Sequence, residues 1–138
     1  MRRLGPGDEA EAQRFDAAFD ATVGRDLAAR YLADDRHHLV AAYADGEPAG
    51  VATATEILHP DKPPELFLNE LVVLPAFRRR GVGGSLVSEV KRLAGERGCE
   101  RIWVLTEEDN EGGIATYERA GGRRVDGTTV MFVIDPAG

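Results

Sequence analysis

The sequence predicts a mixed α/β (α+β) fold, one domain over residues 1–138. Three observations carry this reading. Two β-prone runs, 37–44 and 49–58, flank Asp45-Gly46-Glu47-Pro48, a hairpin turn in which Asp-Gly supplies positive φ at little cost. A third apolar run, Leu66 to Val73, passes through a turn into an amphipathic helix and then another strand. Such a βαβ crossover makes its two strands parallel. Helical periodicity before the hairpin and near the end completes the order β-α-α-β-β-β-α-β-α-β, with a further short strand expected at 123–125.

Each element has a local cause. Arg2, Arg3 and Leu4 form a short first strand, and Gly5-Pro6-Gly7 breaks it. Asp8 is placed to cap a helix over 9–20, with Phe15, Ala18 and Phe19 on one face. Gly24 interrupts, and a second helix covers Asp26 to Leu32 with Leu27 and Tyr31 inward. After the hairpin, residues 59–64 form a proline-rich loop leading into the central strand. The next helix lines up Val82, Leu86, Val90 and Leu93 on one stripe and ends at Gly98. Arg101 to Thr106 reads as a strand. Asp109-Asn110 caps a short helix carrying Ile114, Ala115 and Tyr117, closed by Gly121-Gly122. Thr128 to Ile134 is strongly β-prone and is expected to be the final strand.

Composition narrows the function. A 138-residue chain with 43% hydrophobic and 30% charged residues can build a core without disulfides or metals. The lone Cys99 excludes an internal disulfide and fits a reducing cytoplasm, where it reads as a small core filler. MRRLGPGDEA has no apolar core, so no signal peptide is expected, and no apolar run is long enough to span a membrane. A formal net charge of −7 disfavours nucleic acid as a partner and favours a neutral or cationic one. His37 and His38 alternate across a strand, and no cluster has metal-ligand spacing. His59 sits in the proline-rich loop.

The functional signal lies where the central strand meets its helix. Arg78, Arg79 and Arg80 precede Gly81, Val82, Gly83, Gly84 and Ser85, where the helix begins. A helix start carries unpartnered N–H groups and the positive end of the dipole, and glycines let an anion approach the backbone. The stretch reads as a diphosphate cradle. No lysine follows the glycines, so it is not a Walker loop. Leu86 holds the third glycine position of a dinucleotide fingerprint, so it is not that either.

Arg78-x-x-Gly81-x-Gly83 after Glu70-Leu71-Val72-Val73-x-Pro75 resembles the acetyl-CoA-binding signature of the GNAT N-acetyltransferases. Asn110, Ala115, Tyr117 and Gly121 resemble the family's second motif. Within the family, the opening Arg3-Leu4-Gly5-Pro6, residues 65–73 and Ile114-Ala115-x-Tyr117 look most like aminoglycoside 3-N-acetyltransferases. Gly112 departs from their usual proline, and the loop at 123–129 is longer than theirs. The resemblance implies a mostly antiparallel sheet with a parallel, splayed pair formed by the fourth and fifth strands, and about four flanking helices. It implies that backbone groups of Leu71, Val72 and Val73 meet the pantetheine arm, and that one polarises the thioester carbonyl. It further implies that Asn110 touches the arm, that Tyr117 lies near the sulfur, and that two copies associate through the last strand.

Acetyl transfer needs a neutral amine, and a primary amine is mostly protonated at neutral pH. Glu70 is the candidate base, acting directly, through water, or only by binding the cation. Strict alternation puts it on one face with Leu66, Leu68 and Val72. The competing reading pairs Glu70 with one of the arginines. Tyr117 is the candidate acid for the departing thiolate, or else a ring that packs the last helix. Glu107, Glu108, Asp109 and Glu111 crowd a strand end and would draw cations. The first expectation is an N-acetyltransferase of a cationic small molecule, with an aminoglycoside foremost. The second is a GNAT enzyme for a protein N-terminus, lysine, polyamine or amino acid. The third is a non-catalytic acyl-CoA sensor.

Overall fold

A computed structural model describes residues 1–125, 127 and 129–137. The elements are β1 (Arg2–Leu4), α1 (Glu9–Gln13), α2 (Arg25–Ala33), β2 (His37–Ala44), β3 (Glu47–Ile57), β4 (Glu65–Val73), α3 (Val82–Glu96), β5 (Ile102–Trp103) and α4 (Glu111–Arg119). Single 3₁₀ turns cover Asp16–Ala18 and Pro75–Phe77. The sheet order is β1-β2-β3-β4-β5. All pairs are antiparallel except β4–β5, which is parallel as the crossover requires.

Each sheet face buries its own core. On one side α3 sets Leu86, Val90 and Ala94 against Val40, Ala52, Leu66 and Leu68. On the other, α1 and α2, with Phe15 from the turn after α1, set Ala12, Ala28 and Leu32 against Leu39, Ala41 and Val51. The alternation of β2 and β3 divides between these cores, so both strands are buried on both faces. Arg3 ties β1 to α3 through Glu89 at 2.8 Å and Glu96 at 2.6 Å.

Local signals translate directly. Asp45 (φ 52°) and Gly46 (φ 79°) form the two-residue turn between β2 and β3. Gly98 (φ 71°) closes α3, and the Cys99 N–H reaches back to the Ala94 carbonyl at 2.9 Å.

Four expectations change. The helix over 9–20 stops at Gln13, because Phe15 turns into the core and the Asp16 carboxylate accepts the Val23 N–H at 2.7 Å. Asp8 makes no cap bond to α1, since its carboxylate accepts the Gly5 N–H and pairs with Arg2, both at 2.8 Å. The strand expected over 101–106 pairs only at Ile102 and Trp103. Residues 123–125 and 129–134 form no strand, and Val130 to Ile134 lie exposed. β propensity alone makes no strand without a ladder partner. Thr128, where that strand was expected to begin, lies outside the described residues.

Candidate active site

β4 supplies the centre of the site because it pairs fully on one side only. Its β3 side is laddered from Glu65 to Val73, whereas β5 leaves it after Leu66↔Ile102 and Phe67↔Trp103. The two strands therefore splay, and the far half of β4 presents a free backbone edge. The Val72 carbonyl faces β3, so close that a Cβ on Gly50 would lie 2.7 Å from it. Alternation then gives the open edge to Leu71 and Val73. Of the three residues expected to meet the pantetheine arm, Val72 has its carbonyl turned the other way.

The cradle closes this edge. The first bond of α3 runs from the Ser85 N–H to the Gly81 carbonyl at 3.0 Å. The N–H groups of Val82, Gly83 and Gly84 precede the ladder, whereas that of Ser85 is engaged in it. Gly81 (φ 79°) holds the N-cap position with no side-chain cap, and Arg79 (φ 63°) also adopts the left-handed conformation. At this turn the backbone and three exposed arginines are therefore available to an anion. Arg78 donates from Nε to the Val73 carbonyl at 3.2 Å, which pins the loop to β4, and Arg80 lies over the Phe77 ring. Beside the cradle, a groove of about 580 Å³ runs between α3 and α4, lined by Ser85, Ser88, Arg92, Thr116 and Arg119.

Glu70 does not share a face with Leu66 and Leu68. Thr53 pairs with Glu70, but Ala54 pairs with Leu68, so Asn69 is an extra, exposed residue in β4. This bulge reverses the alternation. Leu71 rejoins Leu66 and Leu68 on the α3 side, while Glu70 and Val72 turn toward α1 and α2. No arginine holds the Glu70 carboxylate among the described residues; the Thr53 hydroxyl donates to it at 2.6 Å. It stands in a cleft of about 330 Å³ roofed by the loop between α1 and α2.

Tyr117 sits half-buried against the α3-side core, and burial pushes its phenol above the ordinary tyrosine value. Asn110 caps α4: its Oδ1 accepts the Gly113 N–H at 3.1 Å, and its Nδ2 donates to the Thr106 hydroxyl at 2.8 Å.

A family model for the acetyltransferase (GNAT) family matches residues 8–122. The chain belongs to the GNAT acetyltransferase family. The aminoglycoside N(6′)-acetyltransferase type 1 of Salmonella typhimurium is 38% identical over 74 residues, 50% of this chain and 50% of that protein. The chain thus spans about half the length of the curated aminoglycoside relatives it matches. An aminoglycoside acetyltransferase from an uncultured soil metagenomic sample superposes with a TM-score of 0.81 at 26% identity, covering 96% of this chain and 97% of that one. Aminoglycoside N-acetyltransferase AAC(6′)-Iy in complex with CoA has the same fold, with a TM-score of 0.77 at 23% identity over 98% of this chain and 93% of that one. Where the names of these aminoglycoside relatives give a position it is N-6′, not the 3-N position of the enzymes to which the motifs were likened.

Two residues of this GNAT site escaped sequence reading. Thr53 gave no signal, since a threonine in a strand is ordinary. Tyr31 read as a core ring, yet it lines the Glu70 cleft, and burial together with the Glu70 charge drives its phenol well above the usual range. Its hydroxyl donates to the His38 carbonyl at 2.7 Å. The other polar candidates lie elsewhere. His38 and Arg97 pair with the buried Glu56 at 2.7 and 2.8 Å, and His59 with Glu65 at 2.7 Å. Cys99 packs at the edge of the α3-side core. Among the described residues no three His, Cys, Asp or Glu side chains converge on a metal-sized site, and no helix is long and apolar enough to cross a membrane.

Proposed function

We propose that this chain transfers the acetyl group of acetyl-CoA to a primary amine of a cationic small molecule. One observation carries the reading. The uncapped start of α3 and the open edge of β4 meet at Val73, and the same strand turns a carboxylate into a cleft three residues earlier. Diphosphate on the N–H groups of Val82, Gly83 and Gly84, with the arginines adding charge, would lay the pantetheine arm along Leu71 and Val73 as an added strand. An N–H on that edge is then aimed at the carbonyl oxygen where charge develops.

Glu70 receives the ammonium from the cleft side and takes its proton directly or through water. The Thr53 hydroxyl fixes one carboxylate oxygen and leaves the other for the nitrogen. Tyr117 carries its proton at neutral pH, as any phenol does, and serves as the acid for the departing thiolate, while burial, by raising its pKa, makes it a weaker donor than a free tyrosine. Asn110 serves by holding the first turn of α4, which carries Tyr117. A base and an acid on opposite sides of one strand favour catalysis over sensing.

The relatives' names make an aminoglycoside the first acceptor to try, at its 6′ and 3-N amines. Thiol release from acetyl-CoA with a panel of amines tests the whole reading. Glu70→Gln keeps the shape and the Thr53 contact, and should lower kcat by about 10²–10⁴-fold with coenzyme affinity intact. Turnover of Glu70→Gln at the wild-type rate would remove the base from the mechanism.

A further inference from the structure

The cleft that holds Glu70 is walled by carbon. Phe19, Val23, Leu27, Ala28, Leu32 and Leu39 line it, and Glu70, Thr53 and Tyr31 supply the polar groups at its floor. Those groups are largely engaged with one another or with backbone. Thr53 donates to Glu70, and the Tyr31 hydroxyl donates to the His38 carbonyl. The one charge they offer is the carboxylate, whose second oxygen is left for a single ammonium; the Thr53 and Tyr31 hydroxyls keep only acceptor lone pairs, and Thr22 lies on the exposed loop. The other carboxylate of the lining, Asp20, lies on the exposed loop. Polyhydroxylated polycations would press several charged or hydroxyl groups against leucine, valine and phenylalanine with no partners, and such burial is costly.

Two further facts point the same way. Leu27 is 72% exposed at the cleft, although the helical pattern would turn it inward. With the part-exposed Phe19 and Val23 of the same lining, Leu27 makes a continuous apolar surface at the cleft mouth, and it is such a patch that marks a contact surface. The wall is also preformed. The Val23 N–H is held by Asp16 at 2.7 Å, and its carbonyl accepts from Gln13 at 3.1 Å. At about 330 Å³ the cleft is at the small end of ligand sites, which run to roughly 1,000 Å³.

Granting the acetyltransferase activity proposed above, on which this rests, we infer that the acceptor is a single primary amine on an apolar body, an alkyl or arylalkyl monoamine. The ammonium meets Glu70, and the hydrocarbon lies along Phe19, Val23 and Leu27.

The test compares kcat/KM, by thiol release, for n-hexylamine, 2-phenylethylamine and sisomicin. The monoamines should exceed sisomicin by about tenfold or more, since each well-placed apolar contact discriminates by that order. Leu27→Asp, at an exposed position that folding tolerates, should cut kcat/KM for hexylamine about tenfold. It should also narrow the gap to sisomicin, and the volume-conserving Leu27→Met should not. Acetyl-CoA affinity serves as the control for fold. Faster turnover of sisomicin than of either monoamine, or a Leu27→Asp variant with unchanged ratios, overturns the acceptor class and leaves the acetyltransferase reading intact. Coenzyme binding without turnover of any amine overturns both.

Discussion

Gly50 is where the sheet and the cradle are held closest, and adding one methyl group there tests how the site is assembled. Gly50 lies on β3 opposite Val73. A Cβ at this position would stand 2.7 Å from the Val72 carbonyl oxygen, 3.1 Å from Val82 Cγ1 and 3.2 Å from Leu86 Cδ1. The valine and leucine methyls can yield by a few tenths of an ångström. The carbonyl belongs to the ladder, so relief means moving β4 away from β3. Overpacking of this kind costs about 1–3 kcal/mol. For a chain of this length Gly50→Ala should lower Tm by roughly 3–10 °C. The displaced atoms also join the two halves of the proposed coenzyme site, since Val72 lies between Leu71 and Val73 on β4 and Val82 stands at the start of α3. Affinity for CoA should therefore fall too, by about tenfold if 1.4 kcal/mol of the strain appears in the bound state. Thermal unfolding by circular dichroism and CoA titration by calorimetry give both numbers. A Gly50→Ala protein with wild-type Tm and wild-type CoA affinity would refute the claim that this contact sets the cradle.

Tyr31 should make stability fall in alkali. Its phenol keeps its proton in the folded state above about pH 10, where the unfolded chain has released it, so stability declines as pH rises beyond that value. Urea melts from pH 7 to 11 should show the decline in wild type and a shallower one in Tyr31→Phe. That variant also loses about 1 kcal/mol at neutral pH with the bond to the His38 carbonyl. Asn110→Ala should cost about 0.5–2 kcal/mol of stability by uncapping α4, and thiol release should slow as Tyr117 loses its support. Gly83→Glu meets only ordinary contacts, 3.6 Å to Thr116 and Val73, so Tm should hold. CoA affinity should fall about tenfold or more, because the new carboxylate occupies the positive end of α3. Unchanged affinity in a folded Gly83→Glu protein would take the diphosphate away from this turn.

What was legible in the sequence is what a few adjacent residues decide. Asp45-Gly46 sets a two-residue turn by itself, and Gly98 ends α3 by itself. The step from β4 through arginines and glycines into α3 reads as an anion site because every part of it is local. The face taken by Glu70 was not legible, since it depends on how β4 registers against β3 across the bulge at Asn69. The trace of it in the sequence is an asparagine directly before the glutamate in a run whose other residues are apolar. The length of α1 was hidden for a similar reason: Asp16 finds its partner at Val23 beyond the end of the helix. Residues 129–134 show the converse, with strong strand propensity and, among the described residues, no ladder partner.

Asn69 gives β4 an odd step, and everything beyond it is set by that step. Upstream, even-numbered positions fill the chamber under α3; downstream, odd-numbered ones do. If Asn69 took a ladder position of its own, so that the strand paired straight through, the two chambers' contents would be exchanged from that point onward. The carboxylate would be driven against Leu86 and Val90, and the isobutyl group of Leu71 would sit in the cleft that now holds the carboxylate. The position of this carboxylate therefore resides as much in the bulge that takes up Asn69 as in the glutamate itself.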